Sequence, residues 1–264
     1  MLTKFAVKNY RGFSDQIVWE LSNPSNYSFN QDAIKDGVVK NGIIYGPNGS
    51  GKSNLSLAVF DIILHLTQKQ KNPHQVDTIV NVYHPEEPVS FEYTFHLGQY
   101  LVEYNYSKGI GGMKFETLLL NGSPLFRLED SRLTIWGTEF PMTEEVKHQL
   151  ATSSNRVSVL GYIWSVYPLS TEHPLKKLKE FVEGMLLFWN HEDRGFAGLE
   201  ENSSLIEEYI ISNGLIDDFT YFLNSVSNQS FKFKPANIGD KQLICDMGIG
   251  VPFNRIRSTG TSSL

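Results

Sequence analysis

One segment constrains this chain more than any other: Gly46-Pro47-Asn48-Gly49-Ser50-Gly51-Lys52-Ser53-Asn54. A glycine, four residues and then Gly-Lys-Ser is the pattern of a phosphate-binding loop. Gly46, Gly49 and Gly51 let the backbone curl and turn its amides toward an oxyanion. Pro47 stiffens the turn. The flanks suit the pattern. Residues 42–45 are an apolar run of strand character, and Leu55, Val59, Ile62, Ile63 and Leu66 follow at helical spacing. The expected unit is a buried strand, a glycine-rich turn and a helix. The helix start adds unpaired N–H groups and a positive dipole end. In this chemistry Lys52 reaches the β- and γ-phosphates and acts catalytically, and the Ser53 hydroxyl ligates Mg2+.

The rest of the composition is that of a soluble globular protein. The chain has 264 residues, 41% of them hydrophobic and 20% charged, enough for one or two domains with a sizeable core. A net charge of -6 argues against a broadly basic nucleic-acid-binding surface. The single cysteine, Cys245, excludes an internal disulfide and lies in an apolar stretch, where a core thiol is expected. No run approaches a membrane span and no apolar secretion signal follows Lys4 and Lys8. The expected compartment is the cytoplasm.

Periodicity orders the remainder. Residues 3–9 and 16–21 alternate as strands around the turn at 11–15, and 22–37 reads as a loop. Residues 79–121 read as a meander of strands, with Asn121-Gly122 as a tight turn. The aromatic residues there are expected to pack a sheet rather than stack on bases. Beyond about residue 140 the period becomes helical: 144–150, 157–166, a face from Leu175 to Trp189, and 204–225 with Gly214 as a possible break. Strand character returns at 231–233 and 242–245. Asp217 and Asp218 are expected on a solvated surface, and the histidines form no recognisable metal cluster with Cys245.

Phe5 to Phe13, FAVKNYRGF, together with GPNGSGKSN and the late Arg257-Ser258-Thr259-Gly260-Thr261, resembles the ABC-type ATPase heads of the SMC/Rad50/RecF superfamily. The nearest likeness is to AAA15/AAA21-like (OLD-like) ATPases of bacterial abortive-infection and anti-phage defence systems. The resemblance implies an α/β P-loop NTPase with an antiparallel strand meander and a helical lobe. It divides the chain into an ATPase lobe at 1–140, a helical lobe or insertion at 141–235, and a return strand with the start of the signature at 236–264. It also implies ATP and Mg2+ as cofactors. Gly46, Pro47, Asn48, Gly49, Ser50, Gly51, Lys52, Ser53, Asn54 and Arg11 would contact ATP. Ser258, Thr259 and Gly260 would reach the nucleotide of a second protomer, and Gln75 is a candidate γ-phosphate sensor. The implied partners are a second copy in a head-to-tail ATP sandwich, an effector such as a nuclease or toxin, and DNA. The implied activity is ATP hydrolysis in DNA-related sensing or phage defence.

The family pattern continues past its signature with an apolar strand ending in Asp-Glu, and no such strand follows Thr261 here. The expectation is a chain that is truncated, split or completed by another. The alternative is a non-hydrolytic nucleotide-binding or interaction module. A small kinase or GTPase using the same loop is disfavoured, since no Asn-Lys-x-Asp segment is present.

Overall fold

The computed structural model of this protein describes residues 1–25, 28–67, 79–109, 112–152, 157–188, 196–197, 204–226, 230–238, 240–246 and 249–253. The chain divides into two compact units, residues 1–185 and 186–264.

The first unit is built on a seven-stranded sheet in the order β2-β1-β5-β6-β7-β8-β9. Its strands are β1 (Leu2–Lys8), β2 (Ile17–Glu20), β5 (Val89–Leu97), β6 (Tyr100–Gly109), β7 (Gly112–Leu120), β8 (Ser123–Glu129) and β9 (Arg132–Ile135). Two short strands, β3 (Ile34–Lys35) and β4 (Val38–Val39), pair with each other, and Val39 N donates to Leu21 O at 2.8 Å. Every pairing in the large sheet is antiparallel. Five consecutive strands from β5 to β9 connect directly to their neighbours, so the sheet is largely a meander. The β7–β8 turn is Asn121-Gly122, with φ of 50° and 78°, the doubly left-handed turn that matches the twist of a hairpin.

Alternation sends one side of each strand inward. Registers align Phe5 and Val7 with Tyr93 and Phe91. Tyr93 and Phe91 in turn align with Tyr104 and Tyr106. Leu118 and Glu116 come next, followed by Phe126 and Leu128. These side chains form one buried face, and the tyrosines are in its core. The aromatic pattern of the meander is therefore packing.

Among the described residues, this unit's α-helices are α1 (Lys52–Thr67), α2 (Glu144–Thr152), α3 (Val159–Val166) and α4 (Pro174–Glu183). Helix α1 buries Ala58, Phe60, Ile62, Ile63 and Leu66, and Tyr93 Oη donates to Ala58 O at 3.0 Å. Ser158 caps α3 through its accepted bond from Gly161 N, and Pro174 opens α4 at a position where no amide partner is needed. The helix expected from Leu175 to Trp189 ends at Glu183, because Gly184 terminates it.

The second unit holds β10 (Leu187–Phe188) with β11 (Phe196–Ala197), helices α5 (Ser204–Ser212) and α6 (Ile216–Val226), and β12 (Phe233–Ile238), β13 (Asp240–Asp246) and β14 (Gly250–Pro252). The last three form an antiparallel sheet. Gly214, with φ of 67°, separates α5 from α6. Asp217 and Asp218 are exposed in the first turn of α6, where carboxylates favour the helix dipole. Ile210, Leu223, Phe231, Leu243, Cys245 and Phe253 form this unit's core.

The expected fold class is overturned. A P-loop NTPase, and an ABC-type head in particular, is built on a parallel sheet, whereas the sheets described here are antiparallel. The physical reason is connection length. Hairpin connections such as Gly98-Gln99 and Asn121-Gly122 are too short for the crossover a parallel neighbour needs, and they dictate antiparallel pairing. The likeness to SMC/Rad50/RecF and OLD-like ATPases is thus confined to short sequence segments and does not extend to architecture. No helix among the described residues is long and apolar enough to cross a membrane.

Candidate functional site

Residues 42–45 were expected as the buried strand of a phosphate-loop unit. They form no strand: Ile43 is 90% exposed and Tyr45 is 91% exposed. Among the described residues, no backbone hydrogen bond involves Ile43, Ile44 or Tyr45. Three consecutive exposed apolar side chains, Ile43, Ile44 and Tyr45, make an unusual surface, since contiguous apolar patches are normally covered.

The loop that follows is partly as the pattern requires. Gly49 and Gly51 have φ of 82° and 94°. A Cβ at Gly51 would fall 2.6 Å from Phe13 Cε1, so the β1–β2 turn closes tightly on the loop. Arg11, itself at φ 48°, brings Nη1 to 3.4 Å from Asn54 Oδ1. Arg11 Nε is buried without a partner among the described residues, and its guanidinium lies 5.6 Å from the Tyr10 ring centre. Burial is the main cause that pushes the Tyr10 hydroxyl up to about 12.

Lys52 turns back on the loop. Its Nζ donates to Gly46 O and Pro47 O, each at 2.8 Å. Ser50 N donates to Pro47 O, and Ser53 is exposed. Helix α1 makes its first hydrogen bond from Leu55 N to Gly51 O, and the amides of Lys52, Ser53 and Asn54 donate to no backbone carbonyl among the described residues. Asn48 is exposed at the loop tip. Gln75, Ser258, Thr259 and Gly260 lie outside the described residues. The site thus brings Arg11, Gly51, Lys52 and Asn54 together.

The expected function and cofactors do not survive this geometry. ATP hydrolysis by the expected head needs a loop leading out of a buried parallel strand, and here the loop hangs between an exposed unpaired segment and α1. ATP and Mg2+ therefore have no architecture to sit in, and the assignments as ATPase, ABC-type or Walker A protein and defence enzyme fall with them. Among the described residues the single group able to gather metal ligands is His84, Glu86 and Glu87, whose donor atoms lie within 4.8 Å of one another. All three are exposed, and Glu87 also pairs with Lys8 at 3.4 Å. Asn9 Nδ2 holds that turn by donating to His84 O and Glu87 O.

Further along α1 a polar network lies inside the core, and sequence reasoning passed over it. Lys108 Nζ and Tyr106 Oη both donate to Asp61 Oδ2 at 2.7 Å. Glu116 accepts from Tyr104 Oη, Ser158 Oγ, Val159 N and Leu160 N. Tyr104 spends its one proton on Glu116, so His65 Nε2, 3.0 Å away, is the donor to Tyr104 Oη. His65 also stacks on Tyr106 at 3.9 Å between ring centres. Burial, then Lys108, holds the His65 imidazole well below its usual range. Burial pushes Glu116 up against the four donors that pull it down, and raises Tyr93, Tyr104 and Tyr106. With every member buried, the network fastens α1 and α3 to the sheet and offers no substrate access. Its signal in the sequence was the alternation itself: Val102, Tyr104, Tyr106 and Lys108 occupy successive inward positions.

Comparison with known protein families and with curated proteins finds no match to this chain.

Proposed function

We propose that this chain is a protein-interaction module that accepts an extended strand from a partner along residues 42–45. The observation that carries the reading is the exposure of Ile43 and Tyr45 beside backbone groups that have no partner among the described residues. Strand addition supplies main-chain hydrogen bonds for affinity and lets alternate side chains set specificity. Val82 and Tyr83 are also largely exposed and enlarge the apolar character of this unit's surface. Cytoplasmic residence suits the reading, since the one cysteine, Cys245, is free and buried. The test is amide hydrogen exchange on dilute protein with a synthetic peptide of alternating valine and threonine. The amides of Ile43, Ile44 and Tyr45 are expected to slow as peptide is added. Unchanged exchange at saturating peptide overturns the reading.

A second reading is favoured by the amides of Lys52, Ser53 and Asn54, which open α1 without backbone acceptors among the described residues. Beside Lys52 and Arg11 they suit a small oxyanion. Nucleotide and turnover form no part of it. Sulfate titration followed by NMR is expected to shift these amides, and Lys52→Met to weaken the response. Sulfate-independent amide positions sink it.

A further inference from the structure

We infer that the strand accepted along residues 42–45 is the same segment of a second copy of this chain, paired antiparallel about Ile44. This rests on the strand-accepting reading and names its partner. The sequence around Ile44 is close to palindromic: Gly42-Ile43-Ile44-Tyr45-Gly46. Antiparallel pairing centred on Ile44 sets Ile43 of each copy across from Tyr45 of the other, and Gly42 across from Gly46. Both cross-strand pairs on that face are then β-branched on aromatic, a stabilising combination in sheets. The arrangement is isologous, the two-fold form that closes on itself rather than growing into a filament.

The structure prepares this surface in three respects. The two side chains that would meet, Ile43 and Tyr45, are the most exposed of the segment, while Ile44 on the alternate side is 42% exposed. Residues 42–47 include no left-handed backbone, which would interrupt a ladder. Residues 41–51 carry no charged side chain, in a chain whose net charge is -6. Two copies therefore meet along an uncharged strip, and the register faces Lys40 with Asn48 rather than with another cation. Like charges directly opposite each other would have opposed the pairing. A ladder this short buries less than the ~1,200 Å² of a stable interface, so the association is weak and concentration-dependent.

Disulfide trapping tests the register on the full chain. At the centre of an antiparallel pair, Ile44 faces its own copy at a Cα separation of about 4.5–5.5 Å, within disulfide range. Ile43 lies across from Tyr45, too far from its own copy to bridge. Mild oxidation is expected to trap Ile44→Cys as a dimer. Ile43→Cys is expected to lose the cross-link, and the parent chain, with Cys245 buried, to form none. Circular dichroism confirms that both variants fold. Equal trapping of both variants means random collision and overturns the proposal. No trapping of Ile44→Cys at high protein concentration overturns it too. In that case slowed exchange with the valine-threonine peptide would leave the strand-accepting reading standing with a different partner, and unchanged exchange would remove both.

Discussion

Lys108 Nζ stands 2.7 Å from Asp61 Oδ2, an ion pair sealed between the central sheet and α1 with side chains only 6% and 4% exposed. Tyr106 Oη donates to the same oxygen at 2.7 Å. The ammonium also lies 5.9 Å and 5.4 Å from the ring centres of Phe91 and Tyr106. The pair has aromatic walls and little water.

Removing one member of this pair strands the other in the core. Lys108→Met or Asp61→Leu alone is expected to cost about 3–5 kcal/mol, read from urea unfolding. The double variant is expected to cost less than the sum, because two apolar side chains can replace a buried pair. Additive losses would show that the two charges do not depend on each other.

His65 makes stability depend on pH in a known direction. Its folded pKa is lowered well below 6.5 by burial and by Lys108, so the unfolded chain binds the proton more tightly. The contribution is complete above about pH 6.5 and is lost as pH falls through the folded value. Glu116 acts in the opposite sense: its raised folded value favours stability at low pH, a contribution lost as pH rises. The comparison to make is therefore between the parent chain and His65→Phe. Thermal midpoints from pH 7 to pH 5 are expected to fall more steeply in the parent. Parallel curves would separate His65 from the pH response.

Gly51 and Gly49 are both left-handed but differ in surroundings. Gly51→Ala adds a Cβ 2.6 Å from Phe13 Cε1, whereas a Cβ at Gly49 meets nothing within 4 Å. Gly49→Ala is expected to cost about 1 kcal/mol from backbone strain alone. Gly51→Ala is expected to cost more, by about 1–3 kcal/mol, because Phe13 must move. Equal melting points for the two variants would mean that the turn at residues 11–15 does not press on the loop.

Much of the fold is legible along the chain. The alternation at residues 91–97 and 101–106 became β5 and β6, and Asn121-Gly122 became the hairpin turn between β7 and β8. The helical period after residue 140 became α2 to α6, broken where Gly184 and Gly214 stand. Less of the candidate site was legible. The glycine pattern marked the loop and the start of α1, but the same letters suggested a buried strand at residues 42–45 that the fold does not form. The buried charges were hidden for a different reason. Asp61 sits in a helical apolar run and Lys108 at the end of a strand, and only their approach across space explains either.

Local periodicity, turn residues and helix stops were determined by the sequence itself, because they depend on neighbours within a few positions. Tertiary structure alone decided which side chains share a face, that Lys108 meets Asp61, and that Ile43 and Tyr45 are left uncovered. Those outcomes depend on strand pairing between distant segments, as in Phe5 beside Tyr93 and Tyr93 beside Tyr104. A short apolar run looks the same in sequence whether or not a neighbouring strand arrives to pair with it.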